Sequence, residues 1–331
     1  MKKIINGVDQ VEEQMTQGLV KAYPQYVKKL EDELVVVRAE KKEGKVALIS
    51  GGGSGHEPAH AGYIGKGMLD AVALGAVYTS PSADAIYKGI KAIDNGNGVL
   101  MIIKNYTGDI INFKLAAEQA GDDDDDINVD YVVVDDDVAV DGSLYTVGRR
   151  GVAGTVFVHK IAGAKAETGA SLEEVKAVAE KVIANVRTMG MAINPSTVPA
   201  AGVPGFELSD TEMEIGIGIH GEPGVKKTEL EPADAIVDQL LDKILTDEHK
   251  GADVAVMVNG CGGTPLMELF IVNNHVSDVL AEKGINVYKT FVGNYMTSLE
   301  CEGFSISVLK LDDELKALLD APADTPAFTV C

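Results

Sequence analysis

The sequence has 331 residues, 46% of them hydrophobic, and a formal net charge of −22 at pH 7. This length predicts two domains or one large one, with enough apolar residues to form extensive cores. The negative charge argues against nucleic acid or an anionic membrane as partner, because both would be repelled.

Cysteine usage and hydropathy indicate the cellular compartment. The three cysteines, Cys261, Cys301 and Cys331, show no C-x-x-C spacing, which is typical of a reducing cytoplasm. The N-terminus does not resemble a signal peptide, and no apolar run approaches the roughly 18 residues of a membrane span. We therefore expect a cytoplasmic protein that does not enter a membrane.

The first elements in the chain are a helix and a strand. Apolar residues recur at helical spacing over residues 8–23, and residues 46–49 form a short apolar run typical of a buried parallel strand. Residues 50–55 are then expected to form a glycine-rich turn that leads into a helix near Pro58. Because ligands bind at the carboxyl ends of strands in open α/β sheets, His56 is a candidate site residue.

The glycine-rich segment also matches three motifs incompletely. Its glycines lack the spacing of a dinucleotide fingerprint, and no Lys-Ser/Thr pair closes a P-loop. Residues 56–60 match H-E-x-x-H, but Pro58 places His56 before the predicted helix rather than on it. We therefore reject a zinc protease, and a metal hydrolase built on His56 and His60 stays a weaker alternative. Taken alone, the segment is equally compatible with a structural turn.

The next segment repeats the order of strand, polar loop and helix. Residues 68–78 are small and apolar, and a helix capped by Ser80 is predicted to run to about Lys91. A second buried strand over residues 99–103 enters a polar loop at 104–109, which is followed by a helix.

Two residues of this second loop are candidate site residues. Lys104 and Asp109 would share the carboxyl edge of the sheet with His56. The alternatives are a lysine whose stem lies along the surface and an aspartate that caps a helix.

Further along, the pattern alternates between acidic, extended and helical segments. The five aspartates at 122–126 are interpreted as a solvated loop, because calcium loops need spaced ligands and a turn glycine. A strand is predicted over 131–134 and a helix over 149–164. Another helix is predicted over 171–186, where Ser171 and Glu174 would form a capping box.

A segment rich in proline, glycine and small residues at 192–205 indicates a domain boundary just before it. We therefore predict domains at 1–188 and 189–331. In the second, a strand of period two is expected over 214–219 and ends at His220 in a Gly-Glu-Pro turn. The remaining predicted elements are helices at 233–246 and from 266, and strands at 254–258, 287–292 and 305–309. The predicted fold class is α/β, with two layered domains of mixed, largely parallel sheets flanked by helices.

Several of these segments together resemble a known family. His56 and His220 each follow a strand in a Gly/Glu/Pro context, one in each predicted domain. The matching segments are residues 46–58, 100–109, 131–151 and 214–224, with Thr297–Leu299 and Gly303–Ser305. Over nearly the whole chain they resemble the substrate-binding subunit of phosphoenolpyruvate-dependent dihydroxyacetone kinases.

The resemblance implies a specific chemistry. His220 would attack the ketone carbon of dihydroxyacetone and hold the substrate as a covalent hemiaminal. A terminal hydroxyl would then be phosphorylated to give dihydroxyacetone phosphate, with His56 and Asp109 as the acid/base pair. Glycerol has no carbonyl group, so covalent capture would reject it. The residues implied in substrate binding are Gly53, Ser54, Gly55, His56, Lys104, Asp109 and His220.

The resemblance also implies partners. No cofactor or metal is expected on this chain, and ADP with Mg²⁺ would reside on a separate kinase subunit recharged by the phosphotransferase system. The chain would form a homodimer. Besides the weaker metal hydrolase, two alternatives remain open: a non-catalytic sensor that joins a transcriptional coactivator, and a kinase subunit for another short ketose. The other histidines, assigned to packing or the surface, are His60, His159, His249 and His275.

Overall fold

The structure is a computed structural model that describes residues 2–122, 127–140, 148–222 and 224–331. The strands of the first sheet are β1 Val27–Lys29, β2 Val35–Arg38, β3 Ala47–Ser54, β4 Ala71–Val77, β5 Val99–Lys104 and β6 Val129–Val134. Their order across the sheet is β1-β2-β4-β3-β5-β6. The four strands from β4 to β6 are parallel, and β1 and β2 extend the β4 edge in antiparallel pairing.

The second sheet is mostly antiparallel. Its strands are β7 Val186–Asn194, β8 Glu212–Ile215, β9 Lys226–Glu229, β10 Asp253–Gly260, β11 Asn286–Gly293 and β12 Glu302–Leu311, and a short antiparallel pair follows, β13 Ala323–Asp324 and β14 Thr329–Val330. The order is β11-β10-β12-β7-β8-β9. Within this described sheet, β10 and β11 form the parallel pair.

The helices cover both sheets. They are α1 Val11–Ala22, α2 Ala83–Ile93, α3 Thr107–Asp122, α4 Thr155–Glu167, α5 Leu172–Asn185, α6 Ala233–Ile244, α7 Leu266–Glu282 and α8 Asp313–Asp320. One face of the first sheet packs on α2 and α3, and one face of the second packs on α6 and α7. Between the sheets lie α4 and α5, and α4 is apolar around most of its circumference because it contacts core on several sides.

The predicted class of two α/β layers with helices is confirmed, but the parallel bias holds only for the first sheet. Between β10 and β11 the chain forms a helix, α7, which is the crossover that a parallel pair needs. From β11 to β12 it passes through residues 294–301 without a helix, and β12 pairs antiparallel with β10. Sequence alternation of helices and strands did not reveal this difference.

The glycine-rich segment is a strand rather than a turn. Residues 51–53 continue β3, and a Cβ at Gly51 would overlap the Ala73 carbonyl of the adjacent β4. Glycine therefore allows these parallel strands to approach closely. The helix predicted near Pro58 is wrong, because residues 57–60 form turns and lead into a single 3₁₀ turn, Ala61–Tyr63.

Three further boundaries differ from prediction. The cap of α2 is Ser82 rather than Ser80, since the Ser82 hydroxyl accepts a hydrogen bond from the N–H of Ala85. The helix predicted from residue 149 begins instead at Thr155. The strand predicted over 214–219 ends at Ile215, because the chain turns at Gly216, which has a φ of +78°.

Two predictions are left untested by these elements. β7 extends across the proposed boundary at 188/189, and residues of β10 share a core with the first sheet, so the division into domains stays a prediction. Asp122 ends α3, whereas residues 123–126 of the acidic run lie outside the described residues. Among the helices described, none has the length and apolar character needed to cross a lipid bilayer.

Candidate active site

At the carboxyl end of β3, residues 53–55 pack against the loop that follows β4. A Cβ at Gly53 would lie 2.5 Å from the Thr79 nitrogen, and one at Gly55 would lie 2.9 Å from the Tyr78 ring. The two glycines thus let Tyr78 pack against the loop. The Ser54 hydroxyl instead donates to the Gly75 carbonyl at 2.7 Å and ties β3 to β4, so its part in substrate binding stays a prediction.

His56 is held with one ring nitrogen available. Its Nδ1–H donates to the Thr297 carbonyl at 2.8 Å, which leaves the lone pair on Nε2. Nε2 is buried and has no hydrogen-bond partner among the described residues. Burial, followed by electrostatic interaction with His220 and Lys104, lowers the pKa of His56 well below its ordinary value. His56 is therefore a neutral imidazole whose Nε2 can accept a hydrogen bond.

His220 is oriented by a carboxylate two residues away. Its Nδ1 lies 3.0 Å from Oε1 of Glu222, and its backbone N–H donates to Oε2 at 2.9 Å. Burial would raise the pKa of Glu222, but the hydrogen bonds from His220 outweigh it and lower the pKa to about 2. Glu222 is thus ionised and accepts a hydrogen bond from the Nδ1–H of His220, so the Nε2 lone pair of His220 is available for bonding.

A buried arginine fixes the turn that carries His220. Arg150 is fully buried, pairs with Asp137 at 2.7 Å and donates to the Gly216 carbonyl at 2.8 Å. A Cβ at Gly218 would overlap the Glu222 carboxylate. The Arg150–Asp137 ion pair therefore stabilises the turn from 216 to 222, and the turn requires a glycine at position 218.

Lys104 and Asp109 complete the site from β5 and the first turn of α3. Lys104 is fully buried, and its Nζ lies 3.7 Å from Oδ2 of Asp109. The second carboxylate oxygen, Oδ1, is buried without a partner among the described residues, as is the hydroxyl of Tyr106. Buried polar atoms without partners are uncommon, and here they mark positions that can bind a polar ligand.

The His220 imidazole lines a pocket, and the buried His56 imidazole packs against it. Their ring centroids are 4.8 Å apart in an edge-to-face arrangement, and Tyr106 and Tyr78 lie 4.6 and 5.3 Å from the His220 ring. The cavity has a volume of about 600 Å³ and is lined by Gly53, Tyr78, Ser80, Tyr106, Thr107, Gly108, Asp109, Gly205, Phe206, His220, Gly221 and Glu222. The structure thus brings together His56, His220 and Asp109, which come from distant parts of the chain.

Sequence analysis missed several residues of this site. Glu222 could have been found from its position two residues after His220, whereas Tyr78 and Tyr106 carry no sequence signal that separates them from core aromatics. His60 and His159 are fully buried and hydrogen-bonded to each other at 2.9 Å.

The geometry disfavours a metal site built on His56 and His60. The Nε2 atom of His60 contacts the Lys104 ammonium at 3.2 Å, and a nearby cation disfavours a second one. Among the described residues, no cluster of three or more His, Cys, Asp or Glu side chains could hold a metal.

Comparison with known proteins gives full-length matches. The model of the Dak1 domain matches residues 17–327. The chain is 56% identical over 331 residues to the dihydroxyacetone-binding subunit DhaK of PTS-dependent dihydroxyacetone kinase 1 from Listeria innocua, covering 99% of this chain and 100% of that protein. It is 44% identical to the corresponding subunit of the PEP-dependent dihydroxyacetone kinase of Escherichia coli, covering 99% of both chains.

Solved structures with a similar fold also match nearly the whole chain. The dihydroxyacetone kinase of C. freundii, in complex with AMP-PNP and Mg²⁺, is similar with a TM-score of 0.90 and 33% identity, over 99% of this chain and 61% of that one. The dihydroxyacetone kinase operon co-activator Dha-DhaQ is similar with a TM-score of 0.90 and 35% identity, over 96% of this chain and 98% of that one. With a family model that spans most of its length and relatives this similar, the chain belongs to the Dak1 family.

Proposed function

We propose that this chain is the dihydroxyacetone-binding subunit of a phosphoenolpyruvate-dependent dihydroxyacetone kinase. The observation that carries the proposal is a pocket lined by His220 and Asp109, where the His220 ring contacts the His56 ring and Asp109 Oδ1 has no partner among the described residues. The full-length relatives named as such subunits support the same substrate.

Capture of the ketone is assigned to His220. Its Nε2 lone pair forms a bond to the carbonyl carbon, and the π pair of the C=O bond moves to oxygen, which takes one proton from solvent. The imidazole becomes positively charged with its proton still on Nδ1. The ionised Glu222 at 3.0 Å balances that charge, so the adduct is stabilised where it forms.

Phosphoryl transfer is assigned to the groups from the first sheet. A terminal hydroxyl of the adduct attacks the terminal phosphorus of the donor, the bond from that phosphorus to the leaving nucleoside diphosphate breaks, and the hydroxyl proton passes to Asp109. His56 accepts a hydrogen bond from the substrate through Nε2 and serves with Asp109 as the acid/base pair. The Lys104 ammonium beside Asp109 stabilises developing negative charge.

The phosphoryl donor is proposed to belong to another chain. We assign ADP with Mg²⁺ to a partner kinase subunit that the phosphotransferase system recharges indirectly, because the sequence of this chain contains no nucleotide motif. A homodimer and a cytoplasmic location complete this proposal.

Two other functions share part of this chemistry. A sensor that captures dihydroxyacetone without phosphorylating it is favoured by the similarity to the operon co-activator. A preference for another short ketose is compatible with a pocket of about 600 Å³. The presence of Asp109 and Lys104 beside His56 supports the kinase.

Reconstituted turnover separates these functions. Purified chain, a cognate ADP-binding subunit, phosphotransferase-system proteins and phosphoenolpyruvate should convert dihydroxyacetone to dihydroxyacetone phosphate. Covalent binding without turnover would favour the sensor, and faster turnover of erythrulose would favour the other ketose. A chain that neither binds nor phosphorylates dihydroxyacetone would contradict the proposal.

A further inference from the structure

A line of four polar side chains leads from the pocket into the core. His60 and His159 are 2% and 0% exposed, and the mechanism above gives neither of them a role. His60 Nε2 lies 3.2 Å from Lys104 Nζ, and His60 Nδ1 lies 2.9 Å from Nε2 of His159 on α4. Lys104 Nζ in turn lies 3.7 Å from Asp109 Oδ2. Close polar contacts therefore link His159 and His60 to Lys104 and Asp109 of the proposed site.

The direction of these hydrogen bonds follows from Lys104. An ammonium group can only donate, so His60 Nε2 must accept and the neutral His60 ring carries its proton on Nδ1. That Nδ1–H donates to Nε2 of His159, which must carry its own proton on Nδ1. Burial lowers the pKa of both rings, that of His159 to about 3, so both are neutral.

His60 is the nearest of the acceptors around Lys104. The Gly51 carbonyl lies 3.4 Å from Nζ and the Asp109 carboxylate 3.7 Å, against 3.2 Å for His60 Nε2. Burial lowers the pKa of Lys104, and the Asp109 charge opposes this. The titratable groups that act on Lys104 are Asp109, Glu222, His56, His60 and His159.

We propose that His60 is a positioning residue that acts through Lys104. It anchors the ammonium group, keeps it charged inside the protein and directs it towards Asp109 and the hydroxyl to be phosphorylated. His159 fixes the tautomer of His60 that can accept this hydrogen bond. The inference rests on the proposed function for the part that Lys104 plays in turnover.

The tautomers can be measured on the wild-type protein without any turnover. Long-range ¹H–¹⁵N spectra of ¹⁵N-histidine-labelled protein report which ring nitrogen is protonated, and single His→Gln variants assign the signals. We expect both His60 and His159 to be neutral with the proton on Nδ1 at neutral pH. A His60 ring protonated on Nε2 would overturn the proposal, and this test does not require His60→Leu to fold.

Two substitutions of His60 separate positioning from packing. His60→Gln supplies an amide oxygen that can accept from Lys104, whereas His60→Leu removes the acceptor at similar volume. The pKa of Lys104, followed by ¹⁵Nζ NMR with Lys104→Met for assignment, should fall in the Leu variant and recover in the Gln variant. A role in packing alone would leave the Lys104 pKa equal in the three proteins, which would refute the proposal.

Turnover gives a separate readout. His60→Leu should lose roughly 10- to 100-fold in kcat at neutral pH, in the range for removal of a hydrogen bond to a buried charge. Since a lower Lys104 pKa means loss of the ammonium at lower pH, the alkaline limb of the pH profile should move to lower pH and return in His60→Gln. If the tautomers and the Lys104 pKa behave as expected but no protein phosphorylates dihydroxyacetone, the positioning role stands and the kinase function fails.

Discussion

The roles of His56 and His220 depend on which nitrogen of each imidazole ring carries the proton. The Thr297 carbonyl accepts a hydrogen bond from the Nδ1–H of His56, and the Glu222 carboxylate accepts one from the Nδ1–H of His220. The same arrangement leaves the Nε2 lone pair of both rings available, that of His220 at the pocket and that of His56 in the protein interior beside it. One imidazole can therefore act as nucleophile and the other as proton acceptor without any change of tautomer.

Glu222→Gln tests the carboxylate that orients His220. The amide keeps the size of the side chain but cannot balance the positive imidazole of the adduct, so dihydroxyacetone should bind about tenfold or more weakly. Binding is measured by NMR titration, and Glu229→Gln on the exposed edge strand β9 serves as the control. Unchanged affinity in Glu222→Gln would remove this role.

Asp109→Asn separates capture from transfer. The adduct on His220 should form normally, while phosphorylation falls roughly 100- to 10,000-fold because the hydroxyl proton loses its acceptor. Asp84→Asn, in the first turn of α2 and exposed, is the matched control. Normal turnover in Asp109→Asn would exclude it as the base.

The sequence predicts the residues that follow apolar strands better than those that support them. His56, Lys104 and Asp109 stand next to β3 and β5 in the chain, so the rule for sheet edges finds them. Thr297 reaches His56 across 241 positions of sequence, and such a contact depends on how distant segments meet. The hydrogen bond of His60 was not predicted for the same reason, since its partner His159 lies on α4.

At the scale of elements, Gly51→Ala tests the close contact between β3 and β4. The added methyl group would overlap the Ala73 carbonyl, and strain in a packed sheet should lower the free energy of unfolding by about 1–3 kcal/mol. Gly121→Ala in α3 is the control, because its Cβ meets no atom within 4 Å among the described residues and should be neutral or stabilising. Urea unfolding of both variants measures the difference, and equal stability would contradict the account.

Burial of His159 on α4 should make the stability of the protein depend on pH. Burial lowers the pKa of His159 to about 3, so below about pH 6.5 the unfolded chain binds a proton that the folded chain does not. Stability should therefore fall with decreasing pH, by about 1.4 kcal/mol per pH unit from this group, until about pH 3. In His159→Gln this contribution should vanish, and urea unfolding curves that fall in parallel for both proteins would contradict it.

The start of α5 was predicted correctly because the residues that cap it lie close together in the sequence. Ser171 and Glu174 form the expected capping box of α5, which depends on residues three positions apart. The strand predicted over 214–219 failed because Arg150 binds the Gly216 carbonyl and a turn replaces the ladder. That contact spans 66 positions and leaves only ordinary Ile/Gly alternation in the sequence.

At the scale of the whole molecule, the site depends on the meeting of two sheets. His56, Lys104 and Asp109 lie at the carboxyl edge of the first sheet, and His220 follows β8 of the second. The sequence predicted two α/β layers but not that β12 and β7 would pair antiparallel, because strand order is fixed by long-range packing. The resemblance to a family supplied the expectation that both histidines share a pocket.

A crystal structure with bound dihydroxyacetone shows whether His220 forms a covalent bond to the substrate. We expect continuous electron density between His220 Nε2 and a tetrahedral central carbon of the substrate, with a terminal hydroxyl beside Asp109 and His56. A planar ketone separated from His220 Nε2 by a non-bonded distance, or a ligand bound away from both imidazoles, would contradict this expectation.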